Sequence, residues 1–201
     1  MDATASESSR VSPTIELARR APDQRRAAVI DAARELFVAH GVTATSMDAI
    51  ARRAGVAKGT VYLSFPTKQH LVHAIEAEFD ARILDAVKGA ATIGSDAPTA
   101  ASAWCTALVT AYLDQLEVHD MLFYGVGARA AERIMDATLS DSLAEVLDAR
   151  GVHDPGAVAS FLIGGVTALA DAAILQQDDN RDALLRRVER LASAAVGVRS
   201  S

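Results

Sequence analysis

Hydrophobic residues recur every three or four positions along most of the chain, which is the spacing of one face of an α-helix. The clearest series consists of Leu71, Ile75, Phe79, Ile83 and Val87. It predicts a long helix that is capped by Thr67 and ends at about Lys88. Glycine and proline separate such segments from one another, and no segment alternates strictly between apolar and polar residues as a half-buried strand does. The pattern therefore predicts an all-α fold.

Three shorter helices are predicted before this long one and five after it. The first three cover about residues 24–40, 45–54 and 58–64, and the later ones about 99–118, 119–124, 128–150, 155–177 and 181–196. In the second helix, the Thr45 hydroxyl is expected to accept a hydrogen bond from the backbone three residues on. Asp48 is then expected to reach back as the acid of a capping box.

Composition supports a helical chain that stays inside the cell. Ala accounts for 42 of the 201 residues and aromatic residues for only 4%. Cys105 is the single cysteine, which excludes an intramolecular disulfide and a zinc site built from several cysteines. The polar N-terminus lacks a signal-peptide core, and the longest uncharged stretches, 97–113 and 155–170, are shorter than the ~20 residues of a membrane span. The chain is therefore expected to be cytoplasmic and to have no membrane partner.

Charge is distributed unevenly along the chain. Residues 1–75 hold 10 Lys and Arg against 7 Asp and Glu, a net charge of +3, whereas residues 76–201 have a net charge of −9. The overall charge of −6 alone would argue against a nucleic-acid partner. Its division points to a basic N-terminal module that meets DNA and an acidic module with a different task.

Residues 46–65 have the pattern of a helix-turn-helix. Such a motif needs a small residue where two helices cross, a glycine in the left-handed turn and a β-branched residue that anchors the second helix. Ala51, Gly55 and Val61 meet these three requirements. The second helix, which begins at Lys58, is then expected to lie in a major groove of DNA.

The sequence around this motif resembles the TetR family of bacterial transcriptional regulators. The matching residues are Ile30, Ala32-Ala33, Leu36-Phe37, Gly41, Thr45-Ser46, Ile50-Ala51, Ala54-Gly55-Val56, Lys58-Gly59-Thr60-Val61-Tyr62, Phe65, Lys68 and Leu71. The resemblance implies an N-terminal three-helix DNA-binding domain followed by a larger helical domain that binds a small-molecule ligand and dimerises. The corresponding boundaries are an arm over 1–22, a helix-turn-helix domain over 23–67 and the second domain over 68–201.

The resemblance also implies which residues contact double-stranded DNA. Thr45 and Ser46 are expected to bind a phosphate, and Lys68 to clamp the DNA backbone. Gly59 and Thr60 are expected to lie nearest the base edges, with Tyr62 at a phosphate or a thymine.

Further cationic and apolar residues extend this predicted interface. Lys58 flanks the recognition helix, where phosphate attracts a cation. Leu63 and Ser64 depart from the aromatic residue and the histidine that are frequent in the family, although Leu63 can contact a thymine methyl. Arg52 and Arg53 either complement the helix dipole or contact DNA. The arm carries Arg10, Arg19, Arg20, Arg25 and Arg26, which either reach a minor groove or remain in solvent.

The second domain concentrates the few aromatic residues of the chain. The residues expected to line an apolar effector pocket are Trp104, Leu108, Tyr112, Met121, Phe123, Tyr124, Arg129 and Phe161. Ordinary core packing is the alternative for each of them. As a set, they indicate an aromatic or lipophilic effector whose binding releases a palindromic operator, and no cofactor or metal is predicted.

The last two helices are expected to form a homodimer. The segment 155–177 is apolar nearly all round, with Gly164 and Gly165 permitting close approach of a second helix. In the final helix, Leu184, Val188, Leu191 and Ala195 form one predicted seam. The alternative is that both helices pack only inside one monomer.

Two other patterns suggest enzymes or metal proteins. Gly125, Gly127 and Ala130 fit a dinucleotide-binding string, but no strand is predicted before it. His70 and His73 share a helix face near Glu76 without an evident fourth ligand. The competing functional hypothesis is therefore a ligand-binding protein or enzyme whose helix-turn-helix is vestigial.

Overall fold

A computed structural model of the chain describes residues 22–123, 129–176 and 180–197, with side chains described for all of these except 123 and 129–136. These ranges contain nine α-helices and no strand, which confirms the all-α prediction. The helices are α1 (Pro22–His40), α2 (Met47–Ala54), α3 (Lys58–Ser64), α4 (Lys68–Ala90), α5 (Ala97–Leu113), α6 (Leu116–Phe123), α7 (Arg129–Asp148), α8 (Pro155–Leu175) and α9 (Arg181–Gly197).

The described residues divide into two compact units, which meet in sequence between Glu76 and Ala77. The predicted boundary at 67/68 lies at the start of α4, whereas the first unit includes the first turns of that helix. The inner face predicted for α4 is confirmed, because Leu71, Ile75, Phe79, Ile83 and Val87 are all buried.

In the first unit, α1, α2 and α3 pack against one another. Their shared core consists of Val29, Ile30, Ala33, Phe37, Ile50, Ala51, Val61 and Phe65. Gly55 ends α2 in the left-handed conformation, with φ of 69°, and its N–H bonds back to the carbonyls of Ala51 and Arg52. This turn sets the direction of α3, as the helix-turn-helix pattern predicts.

The cap predicted for α2 is wrong by one residue. Ser46 is the N-cap, and its Oγ accepts a 3.1 Å hydrogen bond from the N–H of Ala49. Thr45 is buried, and its hydroxyl lies 2.9 Å from the carbonyl oxygen of Gly41 and 3.2 Å from that of Leu36. Thr45 therefore ties the turn after α1 to the helix end, because a buried hydroxyl needs a nearby acceptor.

In the second unit, α5 packs against α9 and α7 against α8, and α8 also contacts α5 and α9. The core between these helices includes Trp104, Leu108, Leu143, Leu147, Val166 and Val188. The single helix predicted over 99–118 breaks near Asp114 into α5 and α6. Arg181 pairs with Asp114 at 2.7 Å and donates to the Thr110 carbonyl, so that the carbonyls at the end of α5 have a partner on α9.

Helix α9 buries a different seam from the one predicted. Leu184 and Val188 are buried as expected, but the third buried residue is Ala192. Leu191 and Ala195 are exposed instead. The buried residues are four positions apart, so each is about 40° further around the helix than the one before. Position 191 lies about 100° around the helix from Ala192.

Candidate nucleic-acid interface

Helix α3 is held by one buried side chain and exposes most of the others. Val61 is fully buried, whereas Tyr62 is 42% and Leu63 88% exposed. Lys58, Gly59 and Ser64 are also exposed, and Thr60 is half-buried. Among the described residues, Leu63 is the most exposed large apolar side chain. The residues predicted to read DNA therefore share one accessible helix.

Gly59 has no reason within the protein to lack a side chain. A Cβ atom built there would meet no atom within 4 Å, and the residue does not adopt a positive φ. Glycine inside a helix costs up to about 1 kcal/mol relative to alanine. The open position leaves room for an external surface to approach the backbone of α3 closely.

Lys58 forms an ion pair across the turn between α2 and α3. Its Nζ lies 2.8 Å from Asp48 Oδ1 and 3.0 Å from Asp48 Oδ2, and 5.8 Å from the centre of the Tyr62 ring. The hydrogen bond and the negative charge of Asp48 raise the pKa of Lys58 above its ordinary value. The capping-box role predicted for Asp48 is therefore replaced by a bond to the recognition helix. The pairing spans ten positions and a turn, so local spacing gave no signal for it.

Lys68 lies at the start of α4 and points to the turn after α1. Its Nζ donates to the carbonyl oxygens of Val42 at 2.7 Å and Thr43 at 3.0 Å. The side chain is half-buried. An ammonium group has three N–H donors, so one of them is left for a phosphate oxygen.

The two hydroxyl residues at the start of α2 differ in what they can present. Ser46 is exposed, and the first turn of α2 leaves backbone N–H groups beside it. Thr45 is only 5% exposed and its hydroxyl bonds to α1 and the following turn. Its side chain is therefore not placed to bind a phosphate, because burial withholds it from the surface.

The arginines near the motif bond largely within the protein. Arg53 pairs with Glu35 on α1, and the Arg26 guanidinium lies 5.0 Å from the centre of the Phe65 ring. Arg52 is exposed in the last turn of α2. Arg25 lies in α1, as Arg26 does, whereas Arg10, Arg19 and Arg20 lie outside the described residues.

The predicted ligand residues are distributed between the core and the surface of the second unit. Trp104 and Leu108 are buried on α5, and Met121 is half-buried on α6. The indole N–H of Trp104 has no hydrogen-bond partner in the part of the chain that the structure describes. The side chains of Phe123 and Arg129, together with Tyr124, lie outside the described residues.

Phe161 does not join this set, which corrects the prediction. Helix α8 buries Leu162, Ile163 and Val166, and this leaves Phe161 73% exposed on another face. A side chain directed to solvent cannot line a pocket inside the same chain. The residue belongs instead to an apolar surface, which is described below.

Tyr112 connects three helices through polar contacts. Its hydroxyl donates to Asp171 Oδ1 at 2.8 Å, and it lies 3.4 Å from His119 Nδ1. The rings of Tyr112 and His119 also meet edge to face, with centres 4.5 Å apart. Asp171 was not singled out from the sequence, because nothing in local spacing relates it to a residue on α5.

A groove of about 440 Å³ lies between α5 and α9. Its lining is polar and consists of Thr99, Ser102, Arg186, Glu189, Arg190 and Ser193. Of the residues predicted to bind an effector, none whose side chain the structure describes borders it. The predicted effector residues Trp104 and Leu108 are instead packed in the core.

Other candidate chemistry takes structural roles in the described residues. Cys105 is buried, and burial raises the pKa of its thiol to about 12, which keeps it protonated at neutral pH. His70 bonds to Thr67, His73 to Gln69, and no cluster of potential metal ligands occurs in ranges 22–123, 129–176 and 180–197. The string at Gly125 and Gly127 lies outside those ranges.

Helix α8 is apolar enough to be compared with a membrane span. It has 21 residues and a mean hydropathy of 1.9 in its most apolar window, of which 28% is buried. Among the described helices it alone meets the length and composition of such a span. Phe161 and Leu175 are its large exposed apolar side chains. We group them with Gly164, Gly165 and the exposed Leu191 of α9 under the term α8/α9 face.

Comparison with known proteins agrees with the geometry of the first unit. The profile described as "Bacterial regulatory proteins, tetR family" matches residues 29–75. The transcriptional regulator SrpR of Pseudomonas putida is 46% identical over 53 residues, which are 26% of this chain and 25% of SrpR. The matched segments cover between 25% and 39% of the length of the curated relatives.

Solved structures extend the likeness to the second unit at the level of the fold. A putative transcriptional regulator from Pseudomonas aeruginosa PAO1 superimposes with a TM-score of 0.71 at 24% identity, over 92% of this chain and 95% of that one. SmeT, the repressor of a multidrug efflux pump of Stenotrophomonas maltophilia, superimposes with a TM-score of 0.65 at 18% identity, over 90% of this chain and 91% of SmeT. The structure of SmeT in complex with triclosan gives a TM-score of 0.62 at 19% identity, over 86% of this chain and 89% of that one.

All of these proteins are named as transcriptional regulators or repressors, and none as an enzyme. The helix-turn-helix, the matching segment over 29–75 and the all-helical second unit agree with one another. Residues 29–75 therefore carry the segment that the model of the tetR family of bacterial regulatory proteins describes, and the chain as a whole shares the fold of the solved regulators.

Proposed function

We propose that this protein is a cytoplasmic, dimeric repressor that binds a palindromic operator and releases it when a small molecule binds the second unit. The observation that carries the DNA-binding part is the accessible face of α3, with Leu63 88% exposed and Gly59 open to an external surface. Lys58, Gly59, Thr60, Tyr62, Leu63 and Ser64 make up this face, and Ser46 and Lys68 flank it. Thr45 contributes by supporting the turn rather than by contact.

Phosphate and base contacts have separate sources in this interface. The exposed hydroxyl of Ser46 and the remaining N–H of Lys68 suit phosphate oxygens, which set the register of the protein on DNA. Thr60 and Leu63 suit base edges and a thymine methyl. One short helix reads few base pairs, so two copies of the chain are needed to select one site.

The α8/α9 face supports a homodimer. Phe161 and Leu175 are 73% and 79% exposed, and Gly164 and Gly165 would let a second helix approach closely. A second copy of the chain would cover this face with an identical one, as two-fold symmetry requires. Asp171 lies within α8 and accepts a hydrogen bond from Tyr112, which favours a protein partner over lipid.

The effector is proposed to be an aromatic or lipophilic molecule that carries a hydrogen-bond acceptor. Trp104 supports this, because a buried indole N–H with no partner among the described residues is suited to such an acceptor. SmeT, with the same fold, is known in complex with triclosan. Leu108, Tyr112 and Met121 are the proposed apolar neighbours, with Phe123, Tyr124 and Arg129 from the sequence prediction.

Binding of DNA is tested with fragments from upstream of the protein's own gene. We expect a mobility shift whose affinity falls steeply as salt rises, because phosphate contacts release counterions. Tyr62→Phe is expected to weaken binding mildly, and Leu63→Ala selectively for the preferred sequence. Absence of salt-dependent binding to any upstream fragment contradicts the proposal and favours the alternative of a ligand-binding protein with a vestigial helix-turn-helix.

Effector binding is tested through Trp104, which is the only tryptophan of the chain. Its fluorescence should change on titration with triclosan or with other aromatic compounds if the ligand reaches the indole. Loss of the DNA complex should follow the same concentration dependence, since the two events are coupled by about 1–3 kcal/mol in such regulators. Release of DNA with no change in Trp104 emission would place the effector elsewhere in the second unit.

A further inference from the structure

The strongest unassigned feature of the first unit is the carboxylate on its proposed DNA-binding surface. Asp48 lies in the first turn of α2, and Lys58 is the first residue of α3. Both oxygens of Asp48 lie within hydrogen-bond distance of Lys58 Nζ, at 2.8 and 3.0 Å. A negative charge at such a surface repels DNA, so the position of Asp48 calls for an explanation.

The ammonium group of Lys58 remains accessible although it is paired. The side chains of Lys58 and Asp48 are 60% and 49% exposed. The ammonium also lies near the ring of Tyr62, which is itself 42% exposed on α3. Lys58 thus stands on the face that meets DNA, with a carboxylate where a phosphate would otherwise bind.

We propose that Asp48 lowers the affinity for DNA by acting as an internal counterion for Lys58. This inference rests on the proposed DNA-binding function. In the free protein the carboxylate occupies the ammonium, and in the complex a DNA phosphate takes its place. Lys58 then gains little from the phosphate, because one anion replaces another and the carboxylate stays beside the negatively charged backbone.

The exchange predicts a definite salt dependence. Asp48→Asn frees Lys58 and removes the carboxylate that stays charged in the wild-type complex, so one more counterion is released on net when DNA binds. The slope of the logarithm of affinity against the logarithm of salt concentration should become more negative by ~0.9 for a duplex. The variant should bind tighter at low salt, and its advantage should shrink by roughly threefold between about 50 and 200 mM salt.

The experiment measures fluorescence anisotropy of a labelled 30-bp duplex of random sequence at several salt concentrations. A random duplex suffices, because phosphate contacts do not depend on sequence. The variants are Asp48→Asn, Lys58→Met and the double variant, with Asp31→Asn as control. Asp31 is an exposed acid paired with Arg34 inside α1, so its change alters the net charge equally. Thermal unfolding by circular dichroism establishes that each variant is folded.

We expect Asp48→Asn to bind tighter with the steeper slope, Lys58→Met to bind weaker, and the double variant to resemble the wild type. Asp31→Asn should leave the slope unchanged. If Asp48→Asn weakens binding, Asp48 positions Lys58 for DNA and the counterion proposal is overturned. If the wild type binds DNA but Asp48→Asn has the same salt slope, the proposal is overturned as well. Absence of salt-dependent DNA binding by the wild type refutes the DNA-binding function and this inference together.

Discussion

Lys68 Nζ donates a 2.7 Å hydrogen bond to the carbonyl oxygen of Val42, which lies 26 positions earlier in the chain. A second bond of 3.0 Å reaches Thr43, so that the first residue of α4 holds the turn between α1 and α2. That turn also contains Gly41, with φ of 79°. The same lysine therefore supports the helix-turn-helix and stands where a phosphate contact is proposed.

Replacement of Lys68 by methionine is expected to affect both stability and DNA binding. Loss of the bonds to Val42 and Thr43 should lower the free energy of unfolding by about 1–2 kcal/mol. Loss of the charge should weaken binding to all DNA sequences alike and flatten the salt slope by ~1. Chemical denaturation and anisotropy titrations measure the two effects. Lys88→Met, an exposed change in the last turn of the same helix, should produce neither. A stable variant with an unaltered salt slope would contradict both roles of Lys68.

Gly59→Ala is expected to separate the needs of the fold from those of DNA binding. Because a Cβ there meets no protein atom, the change should raise the free energy of unfolding by up to about 1 kcal/mol. It should weaken binding to the operator, since the added methyl group stands where DNA approaches. The matched control is Gly89→Ala, a helical glycine of α4 that is equally open. Gly89→Ala should stabilise the protein and leave DNA affinity as it was, whereas unimpaired DNA binding by Gly59→Ala would argue against close contact at that position.

The sequence predicted helices well because their signals are local. Gly55 and Pro155 mark a helix end and a helix start within one turn, and the apolar series on α4 repeats over 16 positions. The residues of α3 were also found locally, since the motif lies in one continuous segment. These features do not depend on where distant parts of the chain lie.

The errors arose where a side chain had a choice of distant partners. Thr45 and Ser46 can both cap a helix. The Thr45 hydroxyl bonds to the carbonyl oxygens of Leu36 and Gly41, which leaves Ser46 as the cap. Asp48 can cap its own helix or pair with Lys58, and only the geometry of the turn shows that it does the latter. Phe161 could face inward or outward, because nearly every position of α8 is apolar. Tertiary packing resolves such choices, and local spacing does not.

The pKa of Cys105 predicts a pH dependence of stability. Burial raises that pKa from 9.0 to about 12, so the folded state retains its proton where the unfolded chain loses it. The stabilisation is complete below pH 9 and is lost as pH rises toward 12. Between pH 9 and 10.5 the wild type should therefore lose on the order of 1–2 kcal/mol more stability than Cys105→Ala. Urea denaturation over this pH range gives the comparison, and parallel curves for the two proteins would show that the thiol is not the cause. The native thiol should also resist iodoacetamide at pH 8 until the protein is unfolded.

Phe161→Glu tests whether the α8/α9 face is covered by a second copy of the chain. Phe161 is 73% exposed next to Gly164 and Gly165, so in a two-fold dimer its ring would be buried near the symmetry axis, or against the partner's α8. Two buried and unpaired carboxylates per dimer should shift the species seen by sedimentation velocity from dimer to monomer at micromolar concentration.

The control is Ile93→Glu, which adds the same charge at another exposed apolar residue of the second unit and should leave the dimer intact. Unchanged sedimentation of Phe161→Glu would show that this face is not the dimer interface, and flotation of the wild type with phosphatidylcholine vesicles would show that lipid covers it instead. If the dimer is lost, the variant should also lose most of its affinity for a palindromic operator while retaining that for a half-site, because each α3 still reads its own half.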